Sequence, residues 1–296
     1  MKLFSYRNRP VHMGPYPMET LARLHNAPAV PFAGLAPLTQ LDLPTQDDPT
    51  SILHAMDDYL SLLDAVRDGP VNPQPAEIPD CPQERANNLK AFGYFLDVNL
   101  AGACEVSADL WLREPFAHPR IAEWVKKCEI AANRPTPPAV EMALSRIGMA
   151  QPAGQESMSH HSHAIVFAIE YPRDPGSNEP GSDWIHGLQP HRAALRAAEV
   201  AIALASYLRL LGYEARAHSG TTSDIDLRMA AVAAGIAAVD NQDIRNPFIG
   251  DRFGLAVVTT TMEIRADSPL AEQGIADRIR SKGPAWWLAL PAANQH

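Results

Sequence analysis

The chain has 296 residues, 46% hydrophobic and 20% charged, enough to bury a core in one large domain or two small ones. A formal net charge of −9, with no basic stripe to neutralise phosphates, argues against broad nucleic-acid binding. The longest apolar stretch, residues 193–211, is broken by Arg196 and Glu199, and no apolar segment follows the basic residues 1–10; neither a membrane span nor a secretory signal is expected, and the cytoplasm is the expected compartment.

The first elements are sparse. Pro10, Pro15, Pro17, Pro28, Pro31, Pro37, Pro44 and Pro49 make residues 1–49 an expected extended arm, whose Phe4, Tyr6, Tyr16, Leu21, Leu24 and Phe32 suit a surface or a partner. Residues 50–296 are expected to form a single α/β domain, with a long loop at 135–159. Ile52, Met56, Tyr59, Leu60, Leu63 and Val66 recur at helical spacing, and Gly69-Pro70 ends that helix. A second helix carries Leu89, Phe92, Tyr94, Phe95 and Leu96, a strand follows over 100–106 through Gly102, and a short helix is expected over 121–130.

The pattern changes at His163. Ala164 to Ile169 is a continuous apolar run of strand length, as in a strand buried on both faces. Pro190 opens a long alanine-rich helix that Gly212 is placed to cap. A strand at 213–217 and a helix at 225–234, with Ser223 and Asp226 spaced as a capping box, lead to a β-branched strand at 255–264. Strands alternating with helices predict an α/β or α+β fold.

Cys81, Cys104 and Cys128 are an odd number at wide spacing and no C-x-x-C occurs, so no iron–sulfur cluster is expected within this chain, and reduced thiols are the ordinary reading.

Against this background, several stretches together carry a resemblance: 207–215 (YLRLLGYEA), 233–236 (AAGI), 250–260 (GDRFGLAVVTT) and Asp267-Ser268-Pro269-Leu270. Upstream, 89–96 (LKAFGYFL), 102–104 (GAC) and 9–17 (RPVHMGPYP) join them in the same order. The set resembles the reductive dehalogenases, and the ending 282–287 (KGPAWW) resembles the N-terminal module of their soluble catabolic members, a degenerate duplicate of the corrinoid module. The resemblance implies a nitroreductase-like core related to cobalamin-processing enzymes, a mixed sheet flanked by helices, and a base-off corrinoid (cobalamin) as cofactor. It also implies that the family's iron–sulfur ferredoxin domain would follow near His296 and is missing here.

His218-Ser219-Gly220-Thr221-Thr222-Ser223 is a small-residue loop before a helix start, suited either to the amides and phosphate of a corrinoid or to a plain capped turn. Phe248, Gly250, Arg252 and Phe253 form a second such stretch, in which Arg252 is a phosphate partner or a surface charge. His161 and His163 share one face of a strand start and could offer imidazoles, but a metal site needs three or four ligands and two imidazoles do not make one, so no metal is assigned. Tyr94 sits near the segment where the family's proton-donating tyrosine is expected, yet its phenylalanine neighbours suit a core position; Trp111 and Trp124 read as packing residues. No catalytic residue is assigned.

The leading expectation is a corrinoid-binding, reductive-dehalogenase-like protein that removes halide from an organohalide, its electrons coming from a separate iron–sulfur or flavin protein. The alternative is a non-catalytic partner module, self-associating or paired with a catalytic dehalogenase module. Flavin-dependent reduction on the same core comes third.

Overall fold

Ser51 accepts from the His54 amide at 3.1 Å and so caps the first helix, α1 (Ile52–Ala65), which buries Leu53, Leu60, Ser61 and Asp64. The computed structural model describes residues 9–24, 34–36, 48–121, 158–171, 173–240 and 242–271. The next elements are α2 (Pro82–Phe95), β1 (Leu100–Glu105), β2 (Trp111–Phe116), β3 (His163–Glu170), α3 (Ser182–Ile185) and α4 (Gln189–Leu210). They are followed by β4 (Ala215–His218), β5 (Ser223–Ile225), α5 (Leu227–Ala233), β6 (Ala238–Asp240), β7 (Asp243–Arg245) and β8 (Phe253–Thr260). The α/β class is as expected.

The main sheet runs β1-β3-β8-β4, and each of its pairings is antiparallel, where the resemblance implies a mixed sheet. β3 lies inside it, and its period of two sends Ala164, Val166 and Ala168 to one core and Ile165, Phe167 and Ile169 to the other. The uninterrupted apolar run of this strand follows directly. On one face lies α5; on the other lie α2 and α4.

Ala193, Ala197, Ala201 and Ala205, spaced by four, present a methyl-only stripe of α4 to the sheet, each with 0% exposure. The backbones meet closely there, since a Cβ on Gly254 of β8 would lie 2.7 Å from the Ala193 carbonyl carbon. Gly212 terminates α4 at φ +91°, the left-handed conformation expected of a helix end.

Two expectations need correction, and one strand was not expected. The cap of α5 is Asp226 alone, accepting from the Arg228 and Met229 amides, while the Ser223 hydroxyl donates to the nearby carbonyl of Ile225. The last strand ends at Thr260, not at 264. β2, unanticipated because Arg113, Glu114 and Pro115 break its apolar pattern, pairs with β5 in a separate two-stranded ribbon.

Of the expected arm, residues 9–24 and 34–36 lie against the core, with Tyr16, Met18, Leu21 and Leu35 buried. Arg23 bridges to Leu270, and its Nη1 donates to the carbonyls of Gly235 and Ser268. The expected 121–130 helix, most of the 135–159 loop, Trp124, Cys128 and the 282–287 ending lie outside the described residues. Among the described residues no helix is long and apolar enough to cross a membrane.

Candidate functional site

The 218–223 loop joins β4 to β5, and every residue in it is buried. Its hydroxyls turn inward. Ser219 Oγ and Thr222 Oγ1 donate to the Asp64 carboxylate at 2.7 and 2.8 Å, and Thr221 Oγ1 donates to it as well. The amides of Thr221 and Thr222 donate to Ser219 Oγ, and the Ser219 amide donates to the Thr222 carbonyl. Burial raises the Asp64 carboxyl above the ordinary aspartate range, and the three hydroxyls act against that rise.

Beside it lies a buried charge cluster. Asp224 Oδ2 accepts from Arg67 Nη1 at 2.9 Å and from Arg216 Nη1 at 3.0 Å, and Arg216 also donates to Asp68 through Nε and Nη2. His218 accepts from the Asp224 amide at Nδ1 and meets Thr259 Oγ1 through Nε2 at 3.0 Å. Burial pushes the His218 imidazole well below its ordinary pKa, so it is neutral at neutral pH. As placed, the loop offers no side-chain donor to the amides of a corrin or to a phosphate; these residues are closed on Asp64 and Asp224 and do not fit that cofactor.

The second candidate stretch divides. Phe248 is 2% exposed and stacks on Tyr16 with centroids 5.6 Å apart, so it is a core residue. Asn246 Oδ1 holds the turn by accepting from the Phe248 and Ile249 amides, and Gly250 takes φ +69° within it. Arg252 places its guanidinium 5.5 Å from the Tyr171 ring centroid, and Phe253 opens β8 half-buried. Tyr94 accepts from the Ala101 amide at 3.0 Å and packs so tightly that a Cβ on Gly14 would lie 2.3 Å from its ring. That is the core position its neighbours suggested. Trp111 is also buried.

Asp267, within the 267–270 stretch, acts as a structural tie. Its carboxylate accepts from Lys90 and from the Ala103 amide, both within 2.8 Å, which fastens the chain after β8 to α2 and β1. Next to it opens a cleft of about 760 Å³, lined among others by Cys81, Glu105, His163, Glu263, Arg265 and Asp267. None of the residues expected to bind cofactor lines it. Cys104 lies buried, its thiol pushed up to about 12 by burial and by Asp267 and Glu105, which makes it inert.

His161 and His163 part company. His163 Nδ1 meets Ser162 Oγ, whereas His161 turns to the opposite side, with His160 and Glu214. Glu214 precedes β4 and was invisible to sequence reasoning because 53 positions separate it from His161. Burial, and next His160, lowers the His161 imidazole to about 4.

No family profile and no curated protein matches the sequence. Among solved structures, the catabolic reductive dehalogenase NpRdhA is similar at 33% identity and a TM-score of 0.66, over 92% of this chain and 32% of that one. The same values hold for a reductive dehalogenase structure described as suggesting a mechanism for B12-dependent dehalogenation. NpRdhA in complex with 3-bromo-4-hydroxybenzoic acid is similar at 33% identity and a TM-score of 0.65. The chain thus spans about a third of the length of the dehalogenases it matches. By fold and by aligned sequence over nearly its whole length, the chain is reductive-dehalogenase-like.

Proposed function

We propose that the chain serves corrinoid-dependent reductive dehalogenation as a structural partner module, with the cofactor and the electron supply residing elsewhere. The class of chemistry rests on 33% identity, sustained over 92% of the chain, to a structure tied to B12-dependent dehalogenation. The share assigned to this chain rests on one observation: Ser219, Thr221 and Thr222, the residues best suited to hold a corrinoid, spend their hydroxyls on Asp64. A loop saturated in this way stiffens one end of the sheet and leaves ligand binding to a catalytic dehalogenase module. An iron–sulfur or flavin protein would deliver the electrons.

A second reading, in which the chain holds the corrinoid through surfaces other than this loop, is favoured by the same likeness to a B12-dependent enzyme. Mixing the purified chain with hydroxocobalamin, desalting and recording the absorption spectrum separates the two. The partner reading expects no retained corrinoid on the chain alone, and retention once a cysteine-rich catalytic module is co-purified with it. A corrinoid band retained stoichiometrically by the chain alone would replace it with the second reading. A yellow protein as isolated would point instead to flavin.

A further inference from the structure

The His161 side chain is fully buried, yet its Nε2 has no hydrogen-bond partner. Its other nitrogen is satisfied, Nδ1 lying 2.8 Å from Thr259 Oγ1. A buried ring nitrogen left unpaired is costly, and this one faces a carboxylate and a second imidazole. Nε2 lies 3.8 Å from Glu214 Oε2, too far for a hydrogen bond. His160 brings its own Nε2 onto the same carboxylate oxygen, and the two imidazoles stand edge to face with centroids 5.0 Å apart. All three ligand atoms lie within 4.8 Å of one another.

We infer that His160, His161 and Glu214 form a binding site for a divalent transition-metal ion of the Zn²⁺ class, at the end of the sheet where β3 and β4 begin. Two neutral imidazoles and a carboxylate are a ligand set that such ions accept, with water completing the shell. Bonds of about 2 Å at tetrahedral angles put ligand atoms roughly 3.3 Å apart, so the present spacing needs only small side-chain rotations. The residues able to make them are His160 and Glu214, with side chains 48% and 49% exposed, while His161 is fixed.

The backbone is arranged for the purpose. Adjacent residues on a strand point to opposite faces, but His160 and His161 leave a turn just before β3, where the His161 amide donates to the Met158 carbonyl. Glu214 is pinned at the end of β8: its carbonyl accepts from the Thr261 amide and the Thr260 hydroxyl, and its amide donates to Thr261 Oγ1. Behind His161 the Thr259 hydroxyl also meets His218 Nε2 at 3.0 Å. That oxygen has two lone pairs and can accept from both rings, which turns the lone pair of His161 Nε2 toward the ion and fixes the ring.

The test uses the full chain, stripped with chelator and titrated with Co²⁺ while the d–d absorption is followed, then with Zn²⁺ in a calorimeter. Saturable, stoichiometric binding is expected, with Zn²⁺ displacing Co²⁺. Glu214→Gln and His160→Ala change half-exposed side chains and keep the fold; each should weaken binding by at least about tenfold, whereas His163→Ala should leave it unchanged. His161→Gln should abolish it. Absence of saturable binding in the stripped chain, or wild-type affinity in Glu214→Gln and His160→Ala, would overturn the assignment.

Discussion

Asp64 on α1 accepts a 2.8 Å hydrogen bond from the hydroxyl of Thr222, 158 residues further along the chain. Ser219 and Thr221 donate to the same carboxylate, so this one side chain fastens α1 to the β4–β5 connection. Asp64→Ala would strip three buried hydroxyls of their acceptor, and unpaired buried groups cost about 1–3 kcal/mol each. A loss of at least about 3 kcal/mol is expected in urea denaturation, seen as a lower midpoint at unchanged slope. Asp64→Asn, which keeps one acceptor oxygen, should fall between the variant and the parent.

Asp224 neutralises two buried guanidiniums through one oxygen. Asp224→Asn removes the charge and leaves Arg67 without its carboxylate and Arg216 with Asp68 alone, a loss of about 3–5 kcal/mol by analogy with other broken buried pairs. Arg67→Met should cost less, because Arg67 Nη2 is buried without a partner in the parent. Thermal melting of the two variants side by side checks the order.

Gly102 of β1 lies against α5. A Cβ at this position would sit 2.5 Å from the Ala234 carbonyl oxygen, a backbone atom that cannot swing aside. Gly102→Ala should therefore cost about 1–3 kcal/mol, as overpacked cores do. The melting temperature would report it.

Stability should also fall in mild acid. Burial lowers His161 to about 4 from an ordinary 6.5, so between those values the unfolded chain binds a proton that the folded chain refuses. This contribution is complete above pH 6.5 and is lost as pH drops toward 4, the loss amounting to about 3 kcal/mol at the bottom of the window. His218, shifted the same way by burial, steepens the decline. Urea midpoints of the metal-free protein at pH 7.5 and pH 5 should show it, with a shallower fall in His161→Gln.

Much of the fold was legible because its signals are local. The apolar run of β3, Gly212 at the end of α4 and Pro190 near its start each act within a few residues. The site was less legible, since its chemistry is made by distant pairs. A small, hydroxyl-rich loop looks the same in sequence whether its donors face a ligand or a carboxylate, and only the fold brings Asp64 beneath it. For the same reason the sequence pattern puts His161 on one face with His163, while Glu214, far away in sequence, reaches His161 only through the pairing of β4 with β8.

The strap formed by 22–24 and 269–271 has a wider consequence. The Leu24 amide donates to the Pro269 carbonyl and the Ala271 amide to the Ala22 carbonyl, so the stretch before α1 and the stretch after β8 hold each other like a clasp. Closing a loop of this length costs only modestly more entropy than closing a short one, so a pair of backbone hydrogen bonds backed by buried Leu21 and Leu270 can hold it. A protease that nicked the early stretch would therefore loosen the late one too, and damage at either side would spread to both.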